Sequence, residues 1–131
     1  MQTLSFKNLD ITSTTKGKLP SLPFVELKEE ILGKTFELSI SFVSPAKMAT
    51  LSQIYKGDPT HMNVLAFPLG AKSGEIVMNL SEIKSESVKF NQTYKKHLLF
   101  IVIHGMLHLA HHVHGSRMEL AEKRLFSKFS S

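Results

Sequence analysis

The sequence contains no cysteine and no tryptophan. Without thiols there are no disulfides and no thiolate ligands, so any metal site must be built from nitrogen and oxygen. Long apolar runs are also missing. The longest, LLFIVI at 98–103, is far short of the ~20 residues that a membrane-spanning helix needs. Met1 to Asp10 alternates polar and apolar residues and lacks a charged segment followed by an apolar one, so no secretory signal is expected. Prolines are few, and 42% of the residues are apolar against 21% charged. Disorder is therefore expected only in short loops and at the extreme C-terminus. The expectation is one soluble, cytoplasmic domain over residues 1–131, with a core that needs no covalent staple.

Acidic residues are the scarcer charge, eleven against sixteen Lys and Arg, for a net charge of +5. Such a balance favours a polyanionic partner, notably nucleic acid, without specifying one.

Neither repeats nor a linker interrupt the chain. TLSFKNLDI places Leu4, Phe6, Leu9 and Ile11 in a loose alternation, as one strand running into a turn would. Phe24, Leu27 and Ile31 follow at helical spacing, with Pro23 in the first turn and Gly33 just past the end. TFELSISFV sets Phe36, Leu38, Ile40 and Phe42 on one face of a strand. Ser44-Pro45 is an N-cap followed by a preformed first helical residue, and Met48, Leu51 and Tyr55 give that helix its stripe, up to Gly57. NVLAFPL and GEIVMNL read as two strands around the turn GAKSG. A long helix is expected from about Phe90 into the histidine cluster. A last helix starts after Gly115, where Ser116 and Glu119 have capping-box spacing and Met118, Ala121, Leu125 and Phe129 form the stripe. These elements make an α+β domain: a small mixed sheet of about four strands packed with helices.

HGMLHLAHHVHG, residues 104–115, holds five histidines between His104 and His114. At about 100° per residue, His104 and His108 project from one helix face, one turn apart, and can reach one ion. A third ligand has two sources. His111, at +7, lies about 20° from the His104 direction if the helix continues. His114, at +10, serves only if the helix stops near position 111, and Gly115 with the capping signal at Ser116 favours such a stop. Spacing alone leaves both open. His97 shares the face of His104 but lies seven residues back, about 10 Å along the axis, too far for the same ion.

The order H-G-x-L-H-L followed by a histidine at +10 resembles the H-G-x-L-H-L-x-G-Y-D-H signature of the YbeY endoribonucleases. His104, Gly105, Leu107, His108, Leu109 and His114 match it. YKGDPTHMNVLAFP is similar to that family's Y-R-G-x-x-x-x-T-D/N-V-L-S-F-P block through Tyr55, Gly57, Asn63, Val64, Leu65, Phe67 and Pro68. SGEIVMN is similar to its L-G-D-I-V-I block, so the likeness spans roughly residues 30–130. The resemblance implies a zincin-like motif with one Zn²⁺ per chain held by His104, His108 and His114. It also implies hydrolysis of single-stranded RNA at the 3′ end of small-subunit ribosomal RNA, ribosome quality control, and the ribosome as partner. Neither DNA nor membrane is expected to be bound.

Four positions depart from the pattern. His111 replaces a glycine, which histidine tolerates at some cost in backbone strain. His112-Val113 replaces Tyr-Asp, removing a carboxylate that would have oriented a ligand histidine. Lys56 stands where the family has an arginine thought important for activity. It keeps the charge but lacks the bidentate fork that grips phosphate. His61, in a loop, reads as a solvated residue before a contact to RNA. Glu75 and Asp58 are the remote choices for a general base. Gly105 follows His104 where H-E-x-x-H peptidases carry glutamate, which argues against a zinc peptidase. The other rival is a ribosome-associated assembly factor with structural zinc and little cleavage.

Overall fold

The computed structural model describes residues 2–58, 62–110 and 116–130. The first segment is a hairpin, not the single strand expected: β1 (Gln2–Phe6) and β2 (Leu9–Ser13) pair antiparallel from Gln2↔Ser13 to Phe6↔Leu9. The cause is Asn8, whose φ of 61° reverses the chain in a conformation where Asn is among the enriched residue types. Helix α1 (Phe24–Ile31) then carries the chain to β3 (Glu37–Phe42), which lies parallel to β2. Helix α2 (Pro45–Lys56) leads to the antiparallel pair β4 (Val64–Gly70) and β5 (Ser73–Met78). β5 inserts beside β3, giving a mixed five-stranded sheet in the order β1-β2-β3-β5-β4. β4 is therefore an edge strand.

Side-chain alternation divides the sheet into two faces. Leu9, Ile11, Leu38, Ile40, Phe42, Ile76 and Met78 join the main core, together with Leu27 of α1. Val43, Leu65 and Val77 pack with Met48 of α2 in a second, smaller core. Tyr55, expected on the buried stripe of α2, is exposed, with its ring 4.8 Å from that of Phe67. The ends of α2 follow expectation: the Ser44 hydroxyl accepts from Lys47 N at 3.1 Å, and Gly57 closes the helix at φ 69°.

After β5 the structure differs from the sequence reading. The strand stops at Met78, and an additional helix, α3 (Leu80–Lys89), begins at Asn79, whose side chain accepts from Glu82 N at 3.3 Å. The long helix α4 (Tyr94–Leu109) starts at its own cap, Thr93, rather than at Phe90. Asn91, at φ 53°, turns the chain between the two helices. Helix α5 (Ser116–Ser130) packs Met118 and Leu125 into the main core, with Ala121 and Phe129 against it. Of the expected Ser116–Glu119 capping pair, the Ser116 side chain lies outside the described residues. The result is an α+β fold with five strands and five helices among the described residues. No helix among them is long and apolar enough to cross a membrane.

Candidate functional site

The apolar run at 98–103 makes α4 the central helix of the main core, and its C-terminal half lies close on β4 and β5. Gly105 faces the sheet: a Cβ there would sit 3.4 Å from Ile76 Cδ1 and 3.4 Å from Val64 Cγ2. Gly74 plays the reciprocal part on β5, since a Cβ there would meet Leu109 Cδ1 at 2.9 Å. With β4 at the edge of the sheet, the space beside it forms a cleft of about 410 Å³. Its walls include Asn63 and Pro68 from the β4 side, His104 and His108 from α4, and Lys56 from the last turn of α2.

The helical spacing brings His104 and His108 together at this cleft. Their Nε2 atoms stand 3.1 Å apart, and the rings meet edge to face with centroids 4.6 Å apart. Two nitrogens bound at about 2.05 Å to one tetrahedral zinc stand about 3.3 Å apart, so this pair fits a shared divalent ion. On its other side, His104 Nδ1 lies 2.6 Å from Glu122 Oε2 of α5, and Phe100 stacks on the ring at 6.3 Å. Glu122 is only 7% exposed. Sequence reasoning missed it, although an acid between Ala121 and Leu125 on the buried stripe of α5 was the signal that could have found it.

Among the described residues no group of three or more His, Asp or Glu side chains is arranged to hold an ion. The third-ligand residues His111 and His114, the His112-Val113 departure and His61 all lie outside the described residues. Lys56 is exposed and reaches the same cleft as the two histidines. The proposed bases fare differently. Gly74 and Ile76 face α4, so Glu75 between them points to the opposite side of the sheet. Asp58 is exposed and is not part of the cleft wall.

His97 is buried, as a core histidine. Its Nε2 lies 3.0 Å from Glu86 Oε1 of α3, and its ring centroid 5.6 Å from that of Phe90. The same carboxylate oxygen accepts from Asn63 Nδ2 at 3.0 Å, tying α3 and α4 to the base of β4.

The chain matches the family described as Endoribonuclease YbeY over residues 6–129, extending the likeness N-terminal of the motif blocks. Endoribonuclease YbeY of Thermotoga maritima is 35% identical over 108 residues, covering 79% of this chain and 71% of that protein. Its namesake in Petrotoga mobilis is 30% identical over 117 residues, covering 87% and 81%. The solution structure of TM1509 from Thermotoga maritima superposes with a TM-score of 0.64 at 29% identity, over 92% of this chain and 88% of that one. A match over nearly the whole chain, with the paired histidines of its motif meeting at one cleft, leaves a single assignment: the chain belongs to the YbeY endoribonuclease family.

Proposed function

We propose that this protein is a zinc-dependent endoribonuclease that cleaves single-stranded RNA in the cytoplasm. Its proposed task is maturation of the 3′ end of small-subunit ribosomal RNA and ribosome quality control, with the ribosome as partner. The observation that carries this reading is the meeting of His104 and His108, Nε2 to Nε2 at 3.1 Å, in a cleft that Lys56 also lines. His104, His108 and His114 would hold one zinc ion. When bound, the ion supplies a Lewis acid that polarises a phosphoryl oxygen and lowers the pKa of water.

The remaining work falls to side chains of this chain. Lys56 places a positive charge beside the cleft, where negative charge develops on the phosphate during cleavage. As an ammonium it attracts the phosphate without fixing its orientation, so it stabilises less than a guanidinium fork would. The excess of basic residues draws the RNA backbone to the surface and makes binding salt-dependent. Position 105 faces Ile76 and Val64. Glycine stands there where an H-E-x-x-H peptidase carries its glutamate base, so a peptidase is the poorer reading.

Lysine at the family's arginine position favours one second reading, an assembly factor that binds RNA and cleaves it little. Cleavage of a single-stranded RNA by the purified protein separates the two. The expected result is activity lost in His114→Ala at unchanged RNA affinity; activity that persists in the mutant points to another site or a contaminant. Zinc content adds a check on the ligand set: His114→Ala should lose the metal and His111→Ala should keep it. The reverse order would overturn the assignment.

A further inference from the structure

We infer that Glu122 is the positioning residue of the histidine pair: it fixes His104 in the tautomer that turns a lone pair toward His108. An ionised carboxylate only accepts hydrogen bonds. With Glu122 Oε2 2.6 Å from His104 Nδ1, that nitrogen carries the proton and donates it. In the neutral imidazole that a cation requires there is one proton, so with Nδ1 facing Glu122 it is Nε2, 3.1 Å from His108 Nε2, that is left as the acceptor. This is the nitrogen that a divalent cation requires bare. The carboxylate is held for the purpose: Glu122 lies between Met118 and Leu125, both 1% exposed, so burial restricts its rotamers and keeps water from competing for its oxygens.

The arrangement also answers a question raised by the sequence. His112-Val113 replaces the Tyr-Asp pair of the family pattern, which removes a nearby carboxylate. α5 supplies one to His104 through Glu122.

For its consequence on metal binding, the inference rests on the zinc reading above; for the tautomer it does not. Long-range ¹H–¹⁵N NMR of the metal-free protein reads the tautomer directly, and His104 should be protonated at Nδ1 in the wild type. Glu122→Leu should shift it toward the Nε2-protonated form. Competition with a chromophoric chelator measures Zn²⁺ affinity, expected to fall about ten- to a hundredfold in Glu122→Leu. Glu122→Gln, whose amide oxygen still accepts from Nδ1–H, should recover most of both properties. A purely structural role for Glu122 would lower the melting temperature and leave tautomer and affinity where they were. An unchanged His104 tautomer in folded Glu122→Leu, or an Nε2-protonated His104 in the wild type, overturns the inference. If the wild type binds no zinc while the tautomer shift is seen, the zinc reading fails and the positioning role stands.

Discussion

His97 and His104 are the same residue type on the same face of one helix, and each meets a carboxylate from a neighbouring helix. Glu86 of α3 faces His97 at 3.0 Å, and Glu122 of α5 faces His104 at 2.6 Å. The ring nitrogen used separates them. His97 spends its outer nitrogen, Nε2, on Glu86, in a buried network that Asn63 completes. His104 gives Glu122 its inner nitrogen, Nδ1, and so keeps Nε2 for the cleft and His108. A histidine–carboxylate pair is thus not in itself a functional sign. It becomes one when the imidazole atom farthest from the backbone is left facing a cavity.

The strongest way to break this comparison is to remove each imidazole in turn. His108→Ala should lower cleavage of single-stranded RNA by about 10²–10³-fold, the scale on which a lost electrostatic stabiliser acts. His104→Ala should do the same and also leave the nearly buried Glu122 carboxylate unpaired, costing about 3 kcal/mol of stability. His97→Ala should cost about 1–3 kcal/mol, because Glu86 keeps its bond from Asn63, and the folded mutant should cleave like the wild type. Cleavage assays beside urea unfolding read all three. Loss of cleavage in folded His97→Ala would erase the distinction.

Part of this was legible in the sequence and part was not, for physical reasons. The alternation Phe36, Leu38, Ile40, Phe42 and the Ser44-Pro45 start are strictly local signals, and the structure follows them. The i, i+4 pair His104/His108 is likewise local geometry on a helix. The hairpin turn at Asn8 was marked only by a one-residue change of phase in the apolar alternation, from Leu4 and Phe6 to Leu9 and Ile11, which is easily read as a loose single strand. Helix α3 was hidden because MNL prolongs the β-like pattern up to its cap, although Asn79 and Glu82 stand at capping spacing. Glu122 showed only as an acid on the buried stripe of α5, and its role was hidden for a different reason: its partner lies eighteen residues away on another helix. Only tertiary packing joins them.

A gentler test acts on one end of α4 alone. Leu109 covers Gly74 so closely that an added methyl would lie 2.9 Å from its Cδ1 and 3.3 Å from the backbone oxygen of Phe67. Gly74→Ala should therefore cost about 1–3 kcal/mol through overpacking. It should also depress cleavage, because Leu109 adjoins His108, while the His97 network is left in place. An unfolding midpoint equal to that of the wild type would show that the helix end yields freely, which the close packing argues against.

The smallest effect is the most discriminating. His97 and His104 lie about 10 Å apart along the helix axis, and they share no partner among the described contacts. If the two networks are separate, the stability costs of His97→Ala and Glu122→Gln should add to within about 0.5 kcal/mol in a double-mutant cycle. Coupling beyond about 1 kcal/mol would mean that α4 shifts as a rigid body when either carboxylate contact is weakened. His97 would then belong to the support of the cleft, and the division drawn from the ring nitrogens would describe one connected site instead of two.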